Sequence, residues 1–273
     1  MSAADHSKDL SSLLKKLRDQ HGEALAAQSE PCPSPIDPAE PLLGQFLKAF
    51  FLWESTSIKA AAAIKKLESA VVDFNELRHC LPDEIAKIVG ERYPRIAERS
   101  LRLRTALNRI YLLEHAVTLE HLNTLGKREA REYLDALEGV PPFVSSRVCL
   151  LALSGHAAPV DSRIHRRLVE AKVIGEAVSI HEAGSLLERK TRAGELPEAY
   201  MLLQAWADEG AFSAAESHLD GLKPIVKPAV DKAAREAARE AARSSESAKA
   251  RVGGGGGGLR KKPSRPLKGR RKS

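Results

Sequence analysis

The chain has 273 residues, room for one large or two small domains with a real core, and a formal net charge of +7. Residues 259–273 alone carry eight basic side chains and no acid, which leaves −1 for residues 1–258, so the basic balance belongs to the tail. No apolar run approaches the ~18–20 residues of a membrane span, and Met1–Leu10 lacks the apolar stretch of a secretory signal, so a cytoplasmic protein with no membrane partner is expected. Cys32, Cys80 and Cys149 lie far apart, excluding a disulfide framework, a Cys-rich zinc site and a four-cysteine iron–sulfur cluster within the chain; the nine histidines show no H-x-x-x-H spacing, and no metal site is read.

Residues 1–28 read as a polar amphipathic helix carrying Leu10, Leu13, Leu14 and Leu17. Five prolines between Pro31 and Pro41 then block helix and favour extended chain, so residues 1–41 form an N-terminal helix and linker. From Leu42 the pattern is helical throughout. Leu42, Phe46, Ala49, Phe50 and Trp53 share one face; further helices are expected over Ile58–Leu67, Asp83–Val89, a segment from Pro94 to Leu112, Lys127–Leu137, Val144–Leu153, Ile164–Ala171, Ile180–Arg189 and Pro197–Ala207. No segment alternates with period two, so residues 42–210 are expected to be one all-α domain. Residues 211–252 continue as an Ala/Arg/Glu-rich helical extension, with Arg235, Arg239 and Arg243 on one stripe. Residues 253–273 are a glycine linker and a disordered basic arm, whose Lys261, Lys262, Arg270 and Arg271 are candidate phosphate contacts.

The informative segment lies between Lys127 and Leu168. A helix ending in Leu137-Glu138-Gly139-Val140-Pro141-Pro142 turns sharply into a second helix, with Gly139 free to take positive φ and a proline suited to the first helical turn. Such a hairpin aims backbone N–H groups at a phosphate oxygen. A Gly/Pro loop, Gly155–Pro159, then leads to Val160-Asp161-Ser162-Arg163-Ile164 at the start of the next helix.

These residues resemble the helix-hairpin-helix–Gly/Pro–Asp DNA glycosylase superfamily, its endonuclease III branch above all. The resemblance spans residues 42–208, and its specific part is 137–167. In that branch a lysine follows the hairpin and an aspartate lies eighteen residues further on; the matching positions here hold Phe143 and Asp161. Leu52-Trp53-Glu54-Ser55-Thr56 resembles the segment that supplies a residue filling the hole left by a flipped base, which places Glu54 at the intercalating position. The chain departs from the pattern at Pro141, which stands for the hairpin's second glycine and removes one N–H, at Phe143, which offers no amine for a Schiff base, and after the Pro197–Trp206 helix, where the cluster cysteines are absent.

The resemblance implies an all-α helix-hairpin-helix fold and a monomeric base-excision repair protein on double-stranded DNA, without cofactor or iron–sulfur cluster. It also implies a monofunctional N-glycosylase, in which Asp161 stabilises an oxocarbenium-like sugar and activates water. An inactive DNA-binding module with the same fold is the alternative, and a lyase using a different amine the second alternative. Asp161 also suits an N-cap. Gly139, Val140, Ser145, Arg147, Arg163 and Glu54 are the DNA-binding candidates of the folded body. The interleaved charges of Glu91–Arg109 read as a solvated helix face, and Trp53 as core.

Overall fold

The computed structural model describes residues 5–26 and 36–210, with side chains from Asp9 to Gly22 and from Ile36 onward. All belong to one unit, Met1–Ile225; a second unit, Val226–Ser273, lies outside the described residues, and so do the expected helical extension and basic arm with Lys261, Lys262, Arg270 and Arg271. Among the described residues there are eleven α-helices, one 3-10 turn and no strand. They are α1 (Asp5–Ala26), α2 (Pro41–Leu52), α3 (Ser57–Glu68), α4 (Phe74–His79), α5 (Pro82–Val89), α6 (Ile96–Glu114), the 3-10 turn Glu120–Thr124, α7 (Lys127–Ala136), α8 (Pro142–Leu151), α9 (Ser162–Glu170), α10 (Ile180–Lys190) and α11 (Leu196–Asp208). None is long and apolar enough to cross a membrane.

Two helices make the centre. α2 starts on Pro41, whose fixed φ suits the first turn, and buries Leu42, Leu43, Phe46, Leu47 and Ala49–Leu52. A helix apolar on nearly every side belongs inside, and α2 packs against α3, α6 and α8. α8 is buried over its whole length from Phe143 to Leu150, because α2, α7 and α11 all pack against it. α1 lays Leu10 and Leu17 into the same core against α11, and Arg18 forks onto Glu198 at 2.6 and 2.8 Å.

One short element carries too little apolar period to be read locally. α4 has only Phe74 and Leu77 buried and is fixed by the Asp73 side chain accepting the Glu76 N–H at 2.6 Å. α6 contradicts its reading as a solvated arginine face: Arg99, Arg102 and Arg104 are buried, since this helix runs through the molecule beside α2, α4 and α5.

Candidate active site

The hairpin comes first, because sequence alone locates it. α7 ends at Ala136 with Leu137 as its C-cap, and Gly139 takes φ +89 to reverse the chain. A Cβ on Gly139 would stand 2.6 Å from the Arg102 carbonyl oxygen, so the turn is pressed against α6 and admits only glycine. The Val140 N–H closes the turn onto the Leu137 carbonyl at 3.3 Å, and Val144 and Ser145 donate to the Pro141 carbonyl at 2.9 and 3.2 Å. Gly139 is buried and Val140 half-buried, while Pro142 stands exposed at the start of α8.

The α2–α3 connection and the start of α9, more than a hundred residues apart, clasp each other. Glu54 adopts φ 54, a left-handed conformation that a glutamate takes only when its surroundings hold it there. Its N–H donates to Asp161 Oδ2 at 3.2 Å. The Glu54 carboxylate in turn accepts the Ser162 N–H at 3.0 Å and the Ser162 hydroxyl. Asp161 Oδ1 accepts the Ile164 N–H at 2.9 Å, so the same carboxylate caps α9. Glu54 is 3% and Asp161 2% exposed: two carboxylates share one dry site.

Buried charges of the same sign need compensation, and two arginines give it. Arg99, wholly buried, donates to the carbonyls of Phe50 and Trp53, two acceptors left open at the end of α2, and to that of Pro94 at 3.1 Å. Phe51, Trp53 and Tyr93 surround its guanidinium at 5.1–5.8 Å from their ring centroids. Burial lowers Arg99 to about 10, with Tyr93 and Glu54 opposing the fall, so it stays cationic at neutral pH. Arg163 donates to the Ser55 carbonyl and pairs with Asp208 at 2.6 Å; Asp208 also accepts the Ser57 N–H at 3.1 Å. Burial pushes Asp161 up to about 7, and the Glu54 charge adds to the rise against the pull of Arg163 and the two N–H donors.

From Asp208 a polar chain continues inward. Gln204 donates to Asp208 at 2.9 Å, the Tyr200 hydroxyl donates to Gln204 Oε1 at 3.5 Å, and Arg147 Nε donates to the Tyr200 oxygen at 3.1 Å. Arg147 Nη1 then reaches Gln45 Oε1 on α2 at 3.5 Å. Phe143 meets the Tyr200 ring edge-on, centroids 6.4 Å apart.

The candidates named from sequence therefore separate. Asp161, Glu54 and Arg163 come together in one site. Arg147 joins them through Tyr200 and Asp208, whereas Gly139 and Val140 stand apart in the hairpin. Glu54 faces inward toward Ser162, not outward as an intercalating side chain must. Ser145 and Arg147 are equally buried: Ser145 donates its hydroxyl to Asp135, and Arg147 is spent on Tyr200 and Gln45, so neither lies at a surface where phosphate would meet it. The residues missed are Arg99, Gln45, Tyr200, Gln204 and Asp208. The last three recur at i, i+4 and i+8 along an otherwise apolar helix, a polar stripe that the sequence does display. Among the described residues no three His, Cys, Asp or Glu side chains are grouped to hold a metal.

No family model matches the chain, and no curated protein matches it. Solved structures do. The 8-oxoguanine glycosylase/lyase of Clostridium acetobutylicum, in complex with double-stranded DNA containing cytosine opposite 8-oxoG, is similar at a TM-score of 0.53 and 18% identity, over 77% of this chain and 71% of that one. A thermostable thymine-DNA glycosylase is similar at a TM-score of 0.50 and 16% identity, over 76% and 88% of the two chains. The likeness is one of fold: all-helical, in the arrangement of DNA glycosylases.

Proposed function

We propose that this chain is a DNA N-glycosylase of base-excision repair, hydrolysing the bond between an extruded base and its sugar with Asp161. The observation that carries the reading is the Glu54–Asp161 clasp: a dry, preorganised carboxylate at a helix start, pushed up to about 7, on a fold shared with an 8-oxoguanine and a thymine-DNA glycosylase. As the C1′–N bond breaks, the base leaves with the bonding electrons and positive charge grows on the sugar, which the Asp161 carboxylate stabilises at close range in a low dielectric. Water then adds its oxygen to C1′ and gives its proton to Asp161, which passes it on to the departing base, so the net reaction is hydrolysis. Glu54 holds Asp161 in place through its N–H, and Arg99 and Arg163 keep the paired carboxylates tolerable in the interior.

Phe143 supplies no amine, so no Schiff base forms there and the abasic strand stays intact until alkali cleaves it. Double-stranded DNA is the partner, met by the Gly139–Val140 hairpin and by the basic arm with Lys261, Lys262, Arg270 and Arg271, an electrostatic contribution that weakens with salt.

One observation favours a second reading, a DNA-binding module without chemistry: both Asp161 oxygens already hold N–H groups, and the side chain is buried. Labelled duplexes carrying uracil, oxidised, alkylated or mismatched bases separate the two when wild type and Asp161→Asn run side by side. Alkali-dependent cleavage by wild type, lost in the variant, supports the glycosylase. Binding without release of any base supports the module, and cleavage without alkali means another amine takes the lysine's part.

A further inference from the structure

The turn that carries Glu54 runs into a surface that the hydrolytic step does not use. α3 buries Ala60, Ala63, Ile64 and Leu67, and packs against α2 and α5. The opposite face, at about 100° per residue, holds Ile58, Ala62 and Lys65 at i, i+4 and i+7, with Lys59 and Ala61 on its flanks; all five are exposed. From Ser55 to Leu67 there is no acidic residue, although residues 1–258 sum to −1. Ile58 is 84% exposed, more than any other large apolar side chain among the described residues. Single exposed apolar residues are ordinary, and Val72 at 82% is one of them. What sets Ile58 apart is how firmly the chain beneath it is held. The Glu54 N–H donates to Asp161 Oδ2 at 3.2 Å, the Ser55 carbonyl accepts from Arg163, and the Ser57 N–H donates to Asp208 Oδ2 at 3.1 Å. The Thr56 hydroxyl oxygen accepts the Lys59 N–H at 3.4 Å and caps the helix. Three charged side chains, two of them buried, therefore clamp the residues that lead into one protruding isoleucine.

We infer that the outer face of α3 is a DNA-binding surface beside the reaction site, where Ile58 enters the base stack at the place an extruded nucleotide vacates and Lys59 and Lys65 take phosphates. The inference rests on the glycosylase reading above, since an enzyme acting on a base inside a duplex has to empty that base's place. Three observations point to double-stranded DNA as the occupant. The first is charge: two exposed lysines without a carboxylate near them in sequence complement a polyanion, and Ala61 and Ala62 between them let a backbone come close. The second is shape: apolar wedges inserted between base steps unstack them, and isoleucine, branched at Cβ, has few rotamers to lose on entering. The third is position: four residues separate Glu54 from Ile58, so their α-carbons stand at most about 14 Å apart, within reach of one nucleotide and its neighbours. Glu54 turns inward to Ser162, and Ile58 is the first large side chain after it that faces outward.

The test uses full-length protein and two duplexes, one intact and one with a tetrahydrofuran abasic analogue at its centre, which offers the hole without a glycosidic bond to cleave. Wild type is expected to bind the second about tenfold or more tightly, because an isoleucine leaves water for the stack only there. Ile58→Ala is expected to bring that ratio to near one, and Ile58→Leu, which keeps the apolar bulk, to retain most of it. Both change a side chain already in solvent, so melting temperatures at the wild-type value are expected and verify the fold. Lys59→Ala combined with Lys65→Ala weakens binding to both duplexes alike and lowers the slope of log affinity against log salt by about two. Equal binding of the two duplexes by wild type, a ratio that Ile58→Ala leaves in place, or a salt slope unmoved by the lysine changes overturns the assignment. Failure of the hydrolytic reading shows differently: an abasic preference lost in Ile58→Ala, with no base released from any duplex, sinks that reading alone, whereas Asp161-dependent release with a ratio of one sinks the wedge alone.

Discussion

The hairpin and the Glu54–Asp161 clasp are the two segments of the folded body that the sequence offers for contact with DNA, and they are built on opposite principles. Around Gly139 the backbone is the working part: side chains are small or cyclic, φ +89 requires glycine, and the turn is pressed onto the Arg102 carbonyl. Around Asp161 the side chains are the working part: four charged groups, Glu54, Arg99, Asp161 and Arg163, lie in the interior, each held by specific partners. A backbone device is local and tolerates a neutral environment. A buried charge cluster is global, and removing one member leaves the rest uncompensated.

The largest expected effect follows from that asymmetry. Arg163→Met removes the buried cation that pairs with Asp208 and holds Asp161 down, at a cost of about 3–5 kcal/mol. Thermal unfolding is expected to drop by on the order of 10 °C. A shift within a degree or two would show that the cluster is no more strongly coupled than the hairpin. Gly139→Ala comes next, at about 1–3 kcal/mol, since the new methyl meets a backbone oxygen at 2.6 Å in a conformation alanine avoids. Urea denaturation measures it, and an unchanged midpoint would mean the turn relaxes freely.

The smallest effect is a slope. Asp161 binds its proton more tightly folded, with a value of about 7 against 3.8 for the ordinary carboxyl, so folding takes up a proton between these values. Stability is therefore highest below about pH 4 as far as this group is concerned, falls as pH rises through 7, and levels above it. Asp161→Asn, neutral at every pH, is expected to flatten the fall in melting temperature between pH 5.5 and 8.5. Parallel curves for the two proteins would place the titration elsewhere.

How much of this was legible in the sequence follows the same division. α2 announces itself through Leu42, Phe46, Ala49 and Phe50, and the hairpin through Gly139 and its prolines, because periodicity and turn chemistry are local. Asp161 is legible as well, from its place after a Gly/Pro loop at a helix start. Arg99 is not: nothing near it in sequence says that its guanidinium meets the open carbonyls of α2, so it reads as one more solvated arginine. Glu54 misleads for the same reason, since its inward turn is imposed by Ser162, 108 residues away. Asp208 and Tyr200 show as a polar stripe on α11, yet their partners Arg163 and Arg147 come from other helices.

The central claim, that Asp161 in its ionised form is the reacting carboxylate, is tested most directly by the single-turnover rate of base release as a function of pH, on whichever duplex wild type acts upon. The rate is expected to rise about tenfold per pH unit below 7, level off above it, and fall by about 10²–10⁴-fold in Asp161→Asn. A rate that declines above pH 7, or an Asp161→Asn enzyme as fast as wild type, would contradict it.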